Sequence, residues 1–204
     1  MSALLLAAGE GSRMGKAKAL LEINSNFLVE ELSHRLVDLG CNNIVVVINQ
    51  DVEKRARQSY IFSKDFAGFG KVVVNKEIEK GQLYSIRLGL RELNDPGIGT
   101  FLLPVDHPFI RNQTLKILVR RAKKDKILIP VHRDAESGSR KRGHPPLFGS
   151  EMLNNLNIIP LHEGARGVYR RFPESVEEVD VEDSGIIRNV NTPEDWNKGM
   201  ADYY

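Results

Sequence analysis

An apolar run, Leu4-Leu5-Leu6-Ala7-Ala8, stops at Gly9 and gives way to a loop carrying Gly9, Gly11, Ser12, Arg13, Gly15, Lys16 and then Lys18. A run this short and this apolar reads as a buried strand. The loop after it is chemically different. Glycine lets a chain turn back on itself without a Cβ clash, so successive backbone N–H groups can line a concave anion site. Arg13 offers a planar fork for phosphate oxygens, and Lys16 and Lys18 offer point charges. A cradle for a triphosphate directly after the first strand is the expectation, and the rest of the chain must supply a sheet that presents it.

The remaining pattern supplies one. Asn26 is placed to cap a helix running to about Leu39, with Leu28, Leu32, Leu36 and Leu39 as its apolar stripe and Gly40 as its stop. Ile44 to Ile48 is a second strand, continuous in β-branched residues and so buried on both faces. A helical stretch from Val52 to about Phe66 leads to a third strand at Val72–Val74. Gly81 to Ser85 opens a helix whose apolar face is Leu83, Ile86, Leu90 and Leu93, and Asn94-Asp95-Pro96-Gly97 is turn chemistry. Thr100–Val105 is the fourth strand, Asn112 caps a helix to Lys124, and Ile127–Val131 is the fifth strand. Beyond it come a polar loop from His132 to Arg142, strand character at Pro145–Phe148, and short helices near Glu151–Asn155 and Glu163–Arg171. Strands come next at Val176–Val181 and Ile186–Val190, and a last helix begins with Thr192 as cap and Pro193 in its first turn. Strands alternating with helices predict an α/β fold of three layers around a mostly parallel central sheet, as one domain over residues 1–204. In such a sheet the site lies beyond the carboxyl ends of the strands.

Composition narrows the partners. A formal net charge of +2 with interspersed acids and bases gives no reason to expect nucleic acid. No run approaches the roughly 18 apolar residues of a membrane span, and no apolar leader opens the chain. The lone Cys41 excludes an internal disulfide and fits a reducing cytoplasm. The basic cluster Arg140-Lys141-Arg142 reads either as a solvated loop or as a clamp for an anionic substrate.

Two stricter phosphate motifs fail. Gly9-x-Gly11-x-x-x-Gly15 has its third glycine one residue late for a dinucleotide fingerprint, and neither Ser nor Thr comes after Lys16, as a P-loop requires. Chemistry is therefore sought elsewhere. Asp106 ends an apolar strand, where a carboxylate can hold Mg²⁺, an ion that takes oxygen ligands and bridges to phosphates through one or two protein groups. The alternative is a turn aspartate ahead of His107-Pro108. Asn191, before the last helix, is the candidate second metal ligand, or simple turn chemistry. Gly81 and Ser85 bracket a helix start whose N–H groups can hold a ribose or base edge, or merely a capped helix. His144 in Gly143-His144-Pro145-Pro146 contacts a second substrate, or is a structural turn histidine.

These residues resemble a known family. Leu6-Ala7-Ala8-Gly9-x-Gly11-x-Arg13-Met14-Gly15, with Lys18 after it, is similar to the signature of nucleotidyltransferases with the glycosyltransferase-A-like fold. Within them the best match is the molybdenum-cofactor branch, the MobA- and MocA-like NTP transferases. Gly81 to Ser85 before Ile86-Arg87-x-Gly89-Leu90, Leu103-Pro104-Val105-Asp106-x-Pro108, Gly143-His144-Pro145-x-Leu147-Phe148 and Asn191-Thr192-Pro193-Glu194-Asp195 extend the likeness over nearly the whole chain. The Gly143–Phe148 segment points to the cytidylyltransferase-like subgroup. The resemblance implies Mg²⁺-dependent transfer of a nucleoside monophosphate, CMP from CTP, to a phosphorylated acceptor, molybdopterin, with release of pyrophosphate. It places Leu6, Ala7, Ala8, Gly9, Gly11, Ser12, Arg13, Lys18, Gly81 and Ser85 at the nucleotide. Arg13, Lys18 and Asp106 carry the catalysis, Asp106 and Asn191 take the metal, and His144 with Arg142 lies at the acceptor. Ala17 stands where the family usually has proline, and Asn191 where molybdopterin-type members usually have Asp. A sugar-phosphate or other small phospho-acceptor and a nucleotide-binding regulator without turnover are the other readings, with a monomer or weak homo-oligomer expected.

Overall fold

The structure, a computed structural model, describes residues 1–9, 11, 14–134 and 138–203, the last two by backbone alone. Among them eight strands form one sheet. Its parallel half runs β5 (Gly70–Val74), β4 (Asn43–Ile48), β1 (Ser2–Ala7) and β6 (Gly99–Pro104). The register pairs Leu5 with Val46 on one side and with Leu103 on the other. The other half is mixed. The strand β7 (Ile127–Arg133) lies parallel to the edge strand β10 (Val176–Val181). On its opposite side it meets two short antiparallel strands in succession, β8 (Arg140–Arg142) and β9 (Leu147–Gly149), and β9 also closes against β6.

The strand residues dictate the layers. Successive side chains point to opposite faces, so Ala3, Leu5 and Ala7 share one core with α1 (Leu28–Asp38) and α5 (Asn112–Arg121), through Leu28, Leu32, Leu36, Leu115 and Leu118. Leu4 and Leu6 enter the other core, against α4 (Gln82–Glu92), α6 (Asn155–Ile158) and α7 (Arg166–Arg171), through Leu83, Ile86, Leu156 and Val168. This explains why β1 and β4 are apolar without alternation. Each buried leucine contributes about 1.5–3 kcal/mol. At Gly89 on α4 a Cβ would crowd Val47 at 3.0 Å and Leu4 at 3.1 Å, so glycine lets this helix ride close on the sheet.

Several elements differ from their sequence patterns. The stretch expected as one helix from Val52 to Phe66 is α2 (Gln50–Arg55), a 3-10 turn at Tyr60–Phe62 and α3 (Lys64–Ala67). The hydroxyl of Ser63 accepts the Phe66 N–H at 3.1 Å, and a serine that caps a new helix cannot sit inside an old one. Asn26 does not cap α1. It pairs with Ile23 in a small ribbon of β2 (Glu22–Ile23) and β3 (Asn26–Phe27), and the Glu30 carboxylate takes the Phe27 N–H at 2.7 Å and the Tyr60 N–H at 2.6 Å. The start of α5 is anchored from far away: Asp183 Oδ2 accepts from Arg111 N–H at 2.9 Å and from the Thr114 hydroxyl at 2.6 Å, and Asn112 is the first helical residue rather than its cap. The segment expected as a strand at Ile186–Val190 begins in a 3-10 turn, Ser184–Ile187, and Glu151–Asn155 is divided between a 3-10 turn and α6. The polar stretch from His132 to Arg142 gives its ends to β7 and β8. The last helix, α8, spans Pro193–Tyr203.

Candidate active site

A cleft of about 620 Å³ opens at the carboxyl ends of β1 and β6. Its floor is Leu6, Ala8, Pro104 and Val105, one wall is the loop with Gly9 and Gly11, and the opposite wall is Ile78, Glu79, Gly81, Gln82 and Ser85. Lys18, Asp106 and Asn191 line it together.

Each part is held by local chemistry. Gly11 adopts φ +64°, and a Cβ there would run into the Lys16 carbonyl, so the turn requires glycine. Asn49, at the end of β4, steadies the loop from beneath: its Nδ2 donates to the Ala8 carbonyl at 3.2 Å while its Oδ1 accepts the Val52 N–H at 2.9 Å and caps α2. Gly81 precedes α4 at φ +82°, and the Ser85 hydroxyl accepts Asn75 Nδ2 at 2.9 Å. Asn191 is fixed by the start of α8. Asp195 Oδ2 accepts the N–H groups of Asn191 at 3.0 Å and Thr192 at 2.9 Å, and the Thr192 hydroxyl accepts the Asp195 N–H at 3.2 Å. The Asn191 N–H, then the Thr192 hydroxyl and N–H, hold the Asp195 carboxyl below its usual value.

The centre of the cleft is a convergence of three distant segments. Lys18 Nζ donates to Asn191 Oδ1 at 2.6 Å and stands 3.5 Å from Asp106 Oδ2. Asp106 Oδ1 meets His107 Nδ1 at 2.9 Å, and the Asp106 carbonyl accepts the Val190 N–H at 2.8 Å, which ties the end of β6 to the approach of α8. Burial pushes the Asp106 carboxyl upward. The hydrogen bond from His107 and the charges of His107, Lys18 and His144 overcome it and leave the group below its ordinary value. The ring of His144 lies against that of His107, with centroids 4.4 Å apart and planes at 47°. Burial first, and then the His107 charge, lower His144 to about 4. Its Nδ1 is buried with no partner among the described residues.

One carboxylate and one amide oxygen already converge on a single cation, the Lys18 ammonium. An oxygen-only pair of this kind suits a hard divalent ion that takes its remaining ligands from water and substrate phosphates. Among the described residues no group of three or more His, Cys, Asp or Glu side chains could form an all-protein cage. The donor set fits a hard divalent cation held partly by other ligands.

Residues 3–179 match the model of the MobA-like NTP transferase domain. The chain belongs to this family. A molybdenum cofactor guanylyltransferase of Vibrio parahaemolyticus serotype O3:K6 is 26% identical over 195 residues, covering 94% of this chain and 91% of the relative. The crystal structure of Rv0371c from Mycobacterium tuberculosis H37Rv superposes with a TM-score of 0.73 at 21% identity, covering 98% and 96% of the two chains, and its complex with manganese with 0.68 at 19%. The inositol-1-phosphate CTP transferase of T. maritima gives 0.69 at 16% identity over 99% and 94%. The fold is that of nucleotidyltransferases.

Within this MobA-like scaffold, Leu6, Ala8, Gly9, Gly11, Lys18, Gly81, Ser85, Asp106 and Asn191 border one cleft. Ala7 faces the opposite core. Ser12 and Arg13 lie outside the described residues. His144 stands behind Asp106 on the far side of His107, and is not among the lining side chains. Arg142 is on β8, where its Nε donates to Glu178 Oε1 at 2.7 Å, and Arg140 pairs with Asp180 at 2.9 Å; both reach across β7 to the acids of β10 and away from the cleft lining. Arg140 and Arg142 thus take part in an edge ion-pair network. Sequence reasoning passed over Asn49 and His107. Asn49 carried the same signal as Asp106, a polar residue ending an apolar strand. No helix among the described residues is long and apolar enough to cross a membrane.

Proposed function

We propose that the protein transfers a nucleoside monophosphate from a nucleoside triphosphate to a phosphorylated acceptor and releases pyrophosphate, with a divalent cation, Mg²⁺, held by Asp106 and Asn191. The observation that carries this is the meeting of Lys18, Asp106 and Asn191 at the end of a glycine loop. The manganese complex of the Mycobacterium neighbour supports the metal.

The chemistry is dictated by charge. An acceptor phosphate oxygen attacks the α-phosphorus in line with the departing pyrophosphate. Both reactants are anions, so the protein must orient and neutralise them. The loop N–H groups face the triphosphate, with the Lys18 ammonium at their edge and Arg13 assigned there by its place in the loop. A cation on Asp106 and Asn191 supplies positive charge to phosphate oxygens when bound. No protein nucleophile is needed, and the single thiol is unsuited to be one: Cys41 is buried and pushed up to about 11.

CTP as donor and molybdopterin as acceptor form the finer reading, drawn from the Gly143–Phe148 resemblance and supported by the CTP transferase neighbour. GTP is the second reading, favoured by the guanylyltransferase relative. Pyrophosphate release from each of CTP, GTP, ATP and UTP with molybdopterin, with and without Mg²⁺, tests both. Release from CTP that requires metal and acceptor is the expected result. Release confined to GTP corrects the base alone, and no release from any triphosphate with any phospho-acceptor sinks the proposal.

A further inference from the structure

His107 comes directly after Asp106, and its ring is 8% exposed although it sits beside a polar cleft. Three contacts immobilise it. The His107 backbone N–H donates to the Pro104 carbonyl at 3.2 Å. One flank of the ring is pressed by His144. His107 also lines a small niche with Leu32, Leu36, Leu103, Ile110, Leu115 and the charged Arg35. From this fixed ring Nδ1 reaches Asp106 Oδ1 at 2.9 Å. An ionised carboxylate only accepts hydrogen bonds, so Nδ1 carries the hydrogen. The carboxylate thus has one oxygen anchored inward, while Oδ2 is the one on the Lys18 side.

We infer that His107 is the positioning residue that sets the metal affinity of Asp106 by holding its carboxylate in one orientation, and that His144 acts through His107 as the wall behind it. The inference rests on the metal reading of Asp106 under the proposed function. Without the Nδ1 contact the carboxylate turns about its own bond and folds onto the Lys18 ammonium, 3.5 Å away, so that a divalent cation must compete with a closed ion pair. Hydrogen-bond partners of metal ligands commonly set affinity by about 10- to 100-fold. Among the described residues no hydrogen bond joins His107 to the loop or to the α4 wall where the nucleotide would lie, so its effect passes through Asp106.

The test uses the full chain and Mn²⁺ as probe, with the free ion tracked by its paramagnetic resonance signal. CTP and GTP are titrated separately by calorimetry without metal. His107→Phe keeps the ring volume and loses the donor. His107→Asn places an amide N–H near the position of Nδ1, whereas His107→Gln places it near Nε2. The expected result is a Mn²⁺ dissociation constant raised about 10- to 100-fold in His107→Phe and His107→Gln. His107→Asn should restore it to within about threefold of wild type, with metal-free nucleotide binding changing far less than Mn²⁺ binding throughout. Equal Mn²⁺ affinity in wild type and His107→Phe overturns the inference and leaves the proposed function standing. So does an Asn variant as weak as Phe, since the loss is then one of packing. A wild-type chain that binds nucleotide but no Mn²⁺ removes the metal reading and the inference together.

Discussion

Lys18 and Arg142 are both cations paired with side-chain oxygens, and the molecule treats them in opposite ways. Lys18 comes after a loop at the carboxyl end of a parallel strand, its side chain is 16% exposed, and its two oxygen partners come from residues 106 and 191. Arg142 lies on a three-residue antiparallel strand near the sheet margin, its side chain is 53% exposed, and it meets Glu178 of the edge strand. The parallel half leaves strand ends pointing at a common hollow, so charges placed there face one another and a ligand. The mixed half returns the chain on itself, so charges there face neighbouring strands and water. Exposed pairs of the second kind contribute about 0–1 kcal/mol each and shield a sheet edge from further pairing.

The largest effect that would break this contrast is at Asp106. Asp106→Ala removes charge at a strand end and no core volume. Metal-dependent pyrophosphate release should fall by at least about 10²–10³-fold, while the melting temperature stays within a few degrees. Undiminished release would erase the distinction between the two halves. Next comes Asn191→Asp, which adds a carboxylate to the donor set. The metal concentration for half-maximal activity should drop by at least about fivefold, the scale of one charge contact fully screened by water, about 1 kcal/mol; no change would mean that residue 191 does not reach the ion. Arg142→Gln sharpens the comparison from the other side. Acceptor KM should move less than about twofold and stability less than about 1 kcal/mol, and a tenfold rise in KM would support the clamp. The smallest effect concerns Glu163, whose carboxylate accepts from Arg171 at 2.7 Å through both oxygens and from Arg170 at 2.8 Å. These bonds lower it from 4.5 to about 2. A depressed folded-state value contributes stability above the unfolded value that is lost as pH falls through the folded one. The melting-temperature gap between wild type and Glu163→Gln should therefore hold above pH 4.5 and close towards pH 2; a gap independent of pH would contradict the pairing.

The sequence made the central strands readable because burial on both faces leaves an unbroken apolar signature, as in Leu4–Ala8 and Ile44–Ile48. It made the cleft readable in outline because its residues sit where strands stop. Partners distant in the chain set the features it hid. Asn112 looks like a cap, yet it lies inside α5, whose start is anchored by Asp183. Asn26 looks like another, yet Glu30 does that work and reaches Tyr60 as well. The break between α2 and α3 was visible only as Ser63, whose capping role requires the Phe66 N–H to be left free at the start of a new helix. Arg140 and Arg142 read as a free basic cluster because the acids that meet them, Glu178 and Asp180, arrive one strand beyond β7. His107 was legible as a strand end but not as the neighbour of His144, which the chain brings back from β9's approach.

The bond between Lys18 and Asn191 joins residues 173 apart in sequence, and this bears on how the protein is made. A ribosome that has released Lys18 and Asp106 has not yet delivered Asn191, the second oxygen donor. At about 5–20 residues per second, roughly 4–17 s separate the emergence of residue 106 from that of residue 191. Throughout that interval the nascent chain carries the parallel strands and their loop with an open ring of ligands. Under the proposed function, competence thus arrives late, with the segment that leads into α8.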